Sequence, residues 1–409
     1  MQNGQRRHTF EFVNGLRGLA AVQVVLLHYC SSFLPLLARA GQFAHYSFEA
    51  KLGYSPGFFL IDGYSAVYLF FLMSGFVLAP SFLEGNSGIG LQVAKRFTRL
   101  YIPVVGTLVL ALALCVLLPP AKEFTAAQSH SQWVHWLYES PLTIPAVLQD
   151  FALNSMLLSY EGTSIFDRLF TLPPITHSLD APLWTIHIEF WGSLLVILVC
   201  AAYRQVPKRV FWLLFALLLV CLGASYFSLF LVGFALFAAR DQLLKCDGRF
   251  YQMVGFAMIA IAIVVSSSVH PERFAPILAA VNKIAIVKVS VPHVVQRELC
   301  TILLFLGVIL LGARRRWLET PWLLRLGRIS FSMYLVHFPL LFTATFLVFK
   351  ALATHLSYGA AALGATLIML PVTLTVAHYF EKYIDQTAIS LSRRLGKLRR
   401  PALGLSRNH

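Results

Sequence analysis

The chain has 409 residues, 58% of them hydrophobic and 12% charged. Soluble domains carry about 25% charged residues and roughly half apolar ones, so this composition argues against a lone soluble domain, a disordered chain or a secreted disulfide scaffold. A net charge of +15 would suit nucleic acid in a soluble protein, but here its placement points to membrane orientation and no nucleic-acid partner.

A helix that crosses a bilayer needs roughly 17–25 mostly apolar residues. In chain order such runs fall at 16–37, 58–82, 100–118, 183–203, 209–222, 225–239, 251–268, 299–313, 323–347 and 357–380. The sequence therefore predicts an all-α, polytopic integral membrane protein with about ten transmembrane helices. The short runs 209–222 and 225–239 are joined by Gly223-Ala224 and read as a tight helical hairpin. The apolar stretch 145–159 carries Pro145, Gln149, Asp150 and Asn154 and reads as a re-entrant or surface helix. Ala38-Arg39-Ala40 resembles a signal-peptidase site, but the preceding run is long and carries His28, so a retained first helix is expected.

With the N-terminus in the cytoplasm, 24 of the 33 basic residues fall in inner loops and at the inner ends, and 9 fall outside. Short basic inner loops are the positive-inside signature, so the expected orientation is N-in/C-in. The loops 119–182 and 269–298 are long, lie outside on this reading, and suggest that something is recognised there. One domain spans 1–409, with its core at about 10–390 and a basic cytoplasmic tail at 391–409; no extra soluble domain is expected. The six cysteines lack CxxC spacing and read as small buried thiols.

Ionisable residues inside apolar spans are expensive and are functional candidates by default. Arg17 and His28 are eleven residues apart, three helical turns plus about 20°, so they share one stripe roughly 16 Å apart in depth. His28, near mid-membrane, is either a general base or a packing histidine. Arg96 and Arg99 share a face at the inner mouth of the third helix and suit phosphates, unless they only anchor the helix. Glu189 is the deepest acid in any span and needs a partner; it could orient or charge-balance a histidine. His187 points away from it by about 200°. Tyr334 and His337 share a face beside Pro339, which frees a backbone carbonyl. Ser74-Gly75 reads as close helix packing rather than as a nucleophile, since no G-x-S-x-G frame surrounds it. No metal-ligand spacing, P-loop or G-x-G-x-x-G occurs.

These stretches resemble, in order, the acyltransferase-3 family of integral membrane acyltransferases, which decorate cell-surface and secreted sugars. The matching segments are Asn14-Gly15-Leu16-Arg17 running to His28-Tyr29, Phe70-Phe71-Leu72-Met73-Ser74-Gly75, Arg96-Phe97-Thr98-Arg99, Pro182-Leu183-Trp184-Thr185-Ile186-His187-Ile188-Glu189, and Ile329-Ser330 through His337-Phe338-Pro339. The family's basic-x10-His motif falls on Arg17 and His28, its R-x-x-R on Arg96 and Arg99, and its glutamate on Glu189. The resemblance implies an O-acyltransferase that moves an acyl group, most simply acetyl, from cytoplasmic acyl-CoA to a hydroxyl of a carbohydrate or glycoconjugate at the outer face. His28 and Glu189 would be catalytic, and Arg17, Arg96 and Arg99 would bind the donor. Ser74, Tyr334 and His337 are further site-lining candidates. Acyl-CoA would be a co-substrate with no tightly bound cofactor, and the location a bacterial inner membrane. Val67-Tyr68 replaces the family's Val-Asp, and Glu189 stands alone where relatives carry paired acids, which leaves the charge partner of His28 open. The alternative is a proton-coupled transporter or flippase, since mid-membrane His and Glu also relay protons; against it, no internal repeat is visible.

Overall fold

A computed structural model describes residues 10–83 and 87–398. Arg6, Arg7 and the basic tail beyond Leu398 lie outside the described residues. The helices of the bundle are α1 (Glu11–Phe33), α2 (Gly63–Leu83), α3 (Ile89–Leu117), α4 (Trp184–Gln205), α5 (Lys208–Leu222), α6 (Tyr226–Ala238), α7 (Arg249–Ser267), α8 (His293–Leu310), α9 (Pro321–Leu340) and α10 (Tyr358–Phe380). α9 runs on through a π-helical turn to Ala353, and α10 through another to Leu398. Among the described residues eight are long and apolar enough to cross a membrane. The other two, α5 and α6, are the expected hairpin. At 15 and 13 residues they reach only about 20 Å, short of a hydrocarbon core of roughly 30 Å. Gly223, at φ +55°, makes their turn, a backbone conformation that costs glycine nothing.

Successive helices run antiparallel and sort the loops onto two faces. Arg17, Lys95–Arg99, Arg204, Arg249 and Arg314–Arg316 lie towards one, the basic face. Gly15 there approaches Leu318, and Ser392 donates to Lys95 O. The opposite loop face carries the long segments 119–182 and 269–292. Helices Lys122–Ser129 and Gln132–Trp136 cap α1 there, through Ser131 Oγ donating to Ser31 O at 2.7 Å. The stretch expected to be a re-entrant or surface helix is helical over Ile144–Leu158, tied down by Tyr101 to Phe151 O and Trp191 Nε1 to Leu157 O, both 3.0 Å. Leu213, Met253, Val264, Leu363 and Leu367 are more than half exposed on the perimeter, where lipid rather than water would cover them.

Several helix ends differ from the expected ones. α1 begins at Glu11 rather than 16 and stops at Phe33 rather than 37, because Leu34 precedes Pro35 and is pushed out of helical backbone. His28 consequently lies about 9 Å from the middle of α1 towards the loop face. α8 begins at His293 rather than 299, directly after Pro292. Arg297 and Glu298 are therefore helical, not loop, residues.

Two devices hold α9 in register. The first is a close crossing with α1. A Cβ on Gly327 would lie 2.1 Å from Asn14 O, and one on Gly18 would lie 2.7 Å from Gly327 N. The backbones touch where side chains would stand. The second is Pro339, which cannot donate to Leu335 O. Thr107 on α3 donates to that carbonyl instead, at 2.8 Å. Thr107 has spent its proton, so its oxygen must accept from Asp180 Oδ2, 3.2 Å away. Asp180 fits that role. It is fully buried just ahead of the turn leading into α4, and burial pushes its carboxyl well above the usual carboxylate range. It keeps its proton and donates it.

Gly327→Ala should lower the unfolding temperature of the purified protein, at a cost of about 1–3 kcal/mol from overpacking. Gly90→Ala, with nothing within 4 Å of the added Cβ, should not. Equal melting of the two would remove the close crossing as a constraint. Asp180→Asn should keep stability, because an amide also donates, and Asp180→Ala should lose it. The raised carboxyl gives a sign. Its contribution is complete below the unfolded value of about 3.9 and is lost as pH rises towards the raised folded value, so Asp180→Asn should flatten the fall in melting temperature with pH.

Candidate active site

α1 carries two of the candidates in order of depth, and α9 lies along it. Each end of this pair opens on a separate cavity. The one nearer the basic face has a volume of about 240 Å³ and is lined by Arg17, Ser74, Arg96, Arg99, Glu189 and Tyr334 among others. The second, nearer the loop face, has about 420 Å³ and is lined by His28, Trp133, Trp136, Trp184, Arg297 and Phe338 among others. Val67, Thr185 and Tyr334 line both. The wall is fixed by hydrogen bonds. Tyr334 Oη lies 2.7 Å from Thr185 Oγ1 and donates to Pro182 O at 3.0 Å.

The expected partnership of Glu189 with His28 is not what the fold provides. Glu189 is paired with Arg96, and both side chains are largely buried. The reason is tertiary. α4 packs on α3, which carries Arg96, while His28 on α1 meets His337 on α9. His187 lies on the other side of α4, as the spacing required, and its Nε2 accepts from Ile165 N at 3.3 Å.

The guanidinium groups differ in how much of each is already engaged. Arg99 grips both oxygens of Asp385, the second at 3.2 Å, with its guanidinium 5.6 Å from the Phe331 ring. Arg96 is neutralised by Glu189 but keeps a buried Nε with no acceptor. Arg17 has neither an ion pair nor a hydrogen bond among the described residues. Three arginines face two acids, so the cavity retains positive charge, and Arg17 is the cation whose donors are least engaged. Ser74 lines the cavity, while Gly75 serves packing: its Cβ would lie 2.1 Å from Phe230 O on α6.

His28 has an unexpected partner. Its Nδ1 lies 2.7 Å from Nε2 of His337, with the rings parallel within 7°. Trp133 also stacks on His28, 5.3 Å between centroids. The backbone fixes the tautomers. His337 Nδ1 faces two carbonyl oxygens, Tyr334 O at 2.6 Å and Met333 O at 3.1 Å, so it must carry hydrogen. His337 Nε2 is then an acceptor, His28 Nδ1 must donate to it, and His28 Nε2 is left with a free lone pair. Among the described residues nothing bonds that nitrogen, and it is not sealed from the cavity. A neutral imidazole held in one tautomer, one nitrogen anchored and the other presented, is equipped to take a proton.

The structure thus brings Arg17, Arg96, Arg99, Glu189, Ser74 and Tyr334 to one cavity, and His28, with His337 behind it, to the next. Asp385 and Arg297 were not found from sequence. Both sit where a helix runs beyond its expected end, and Pro292 was the signal that could have placed the second. Residues 10–378 match the family described as an acyltransferase domain. An O-acetyltransferase of Phomopsis amygdali, PaAT-1, is 23% identical over 437 aligned positions that cover 94% of this chain and 84% of that protein. No solved structure matches. With the family's match running through both cavities and all the helices that build them, the chain belongs to the acyltransferase-3 family and is a multi-pass membrane O-acyltransferase.

Proposed function

We propose that the enzyme takes an acyl group, most simply acetyl, from acyl-CoA on the cytoplasmic side and transfers it to a hydroxyl of a carbohydrate or glycoconjugate on the other side, with His28 as general base. The observation that carries this reading is the pair of cavities separated by one hydrogen-bonded wall, cations on one side and a tautomer-locked histidine on the other. Phosphates of the donor suit Arg17 and the spare donors of Arg96 and Arg99. Glu189 acts on the donor side, by holding Arg96, rather than on His28. Aromatic faces such as Trp133, Trp136 and Trp184 suit a ring-shaped acceptor in the second cavity.

In the proposed reaction the acceptor oxygen attacks the thioester carbonyl while His28 Nε2 takes its proton. The C–S bond then breaks, and the CoA thiolate leaves with the proton that His28 gives back. His337 positions the imidazole through Nδ1 and touches neither substrate. For the acyl carbon to meet the acceptor, the contact between Tyr334 and Thr185 has to part. The single domain would lie in a plasma membrane, the bacterial inner membrane on the resemblance to sugar-decorating enzymes, with the basic face in the cytoplasm.

Transfer from acetyl-CoA by purified enzyme tests the assignment. General base catalysis is typically worth about 10²–10⁴-fold, so His28→Ala should lose at least about a hundredfold in kcat. His337→Ala should lose less, and Arg17→Gln should chiefly raise the donor KM. Retention of more than about a tenth of parental kcat by His28→Ala, well outside that range, would make His28 a packing residue.

Orientation is checked separately. Gln128 and Gln205 are exposed on opposite faces. Gln128→Cys should add labelling by an impermeant thiol reagent in intact cells, and Gln205→Cys only after the membrane is opened. The reverse pattern would exchange donor and acceptor sides.

A further inference from the structure

A third cavity, of about 600 Å³, lies on the loop face and is lined by Arg39, Asp62, Tyr64, His293, Gln296 and Arg297 among others. It shares Tyr64 and Arg297 with the cavity of His28. Most of its polar side chains are already occupied by the fold. Arg39 donates to Gly53 O at 2.7 and 3.0 Å and to Ser267 O at 2.7 Å, and lies 3.7 Å above the Phe58 ring. Asp62 accepts from Ser65 N at 3.0 Å and Ser266 Oγ at 2.5 Å. Gln296 donates to Val265 O and Ser268 O at 2.7 and 2.9 Å.

Arg297 is different. Its guanidinium lies 4.5 Å from the Tyr64 ring and 5.9 Å from the Tyr68 ring, and it has no hydrogen bond or ion pair among the described residues. The acid next to it in sequence does not serve it, because Glu298 Oε1 accepts from Ser228 Oγ on α6 at 3.1 Å. A guanidinium stacked on aromatic faces keeps its plane fixed and its edge donors unspent. Its fork matches the two oxygens of a carboxylate or phosphate. A half-buried cation without an ion-pair partner is costly to keep in a folded protein, and a ligand that supplies one offsets that cost on binding.

We infer that the acceptor bears an anionic oxyacid group, a carboxylate or a phosphate, which Arg297 seats while the hydroxyl to be acylated lies beside His28. Both residues line the same cavity, and the third cavity takes whatever continues beyond the anionic group. This inference rests on the reading of the His28 cavity as the acceptor side.

Three probes distinguish the sources of charge: methyl β-D-glucuronide for a carboxylate, methyl β-D-glucoside 6-phosphate for a phosphate, and methyl β-D-glucoside for neither. Binding to the full chain in neutral detergent is read from tryptophan fluorescence, since Trp133, Trp136 and Trp184 line the cavity. At least one anionic probe should bind about tenfold or more tightly than the neutral one, the scale of one charge-assisted contact. Arg297→Gln should abolish that preference, Arg297→Lys should keep part of it, and Arg17→Gln should leave it in place. An absent preference, whether none of the probes binds or all bind alike, overturns the inference, and so does a preference that survives Arg297→Gln. The readout needs neither donor nor turnover. It can fail while acyl transfer through His28 stands, and it can stand while the base assignment fails.

Discussion

The close crossing of α1 and α9 is the constraint from which the rest follows. Gly18 and Gly327 let two backbones meet with no side chain between them. Farther along the same pair of helices, His28 and His337 are near enough to share one hydrogen bond at 2.7 Å. A methyl group on Gly327 would stand 2.1 Å from Asn14 O, so the helices would have to shift there. Glycine in a helix costs roughly 1 kcal/mol relative to alanine, and here that cost is offset by contact that α-carbon hydrogens alone permit.

Electrostatics then divides the interior. The ion pairs Arg96–Glu189 and Arg99–Asp385 lie at the cavity near the basic face. The cavity of His28 holds one charged side chain, Arg297, among mostly aromatic and apolar ones. A carboxylate beside His28 would draw a proton onto it and spend the lone pair. A second neutral imidazole, itself oriented by carbonyls on α9, fixes the tautomer without that effect. With Glu189 on Arg96, His28 is held by a geometry rather than by a charge.

What could be read in the sequence was whatever depends on a single helix. Spacing put Arg17 and His28 on one stripe and Tyr334 beside His337, and it turned His187 away from Glu189. Adjacency between helices was not legible. Periodicity states which face a residue occupies, not which helix will cover it, so a histidine was considered for Glu189 where Arg96 on α3 is its partner. Helix ends were the other loss. Hydropathy fades where polar residues begin, yet α8 and α10 carry their backbone hydrogen bonds past that point. Arg297 and Asp385 lay in those extensions and were missed for the same reason.

The wall formed by Val67, Thr185 and Tyr334 has a consequence outside catalysis. On the proposed reading, the two cavities approach each other from opposite faces of the membrane, and this wall stands between them. A cell that keeps a potential and a proton gradient across the same membrane loses both through any continuous file of water. On that reading Tyr334 would hold two duties in tension, parting enough for an acyl group and closing before ions follow. The hydrogen bonds to Thr185 and to Pro182 O give its ring one sealed position to return to. In this view the enzyme's turnover is bounded by how briefly the membrane can tolerate being open, as well as by the speed of its chemistry.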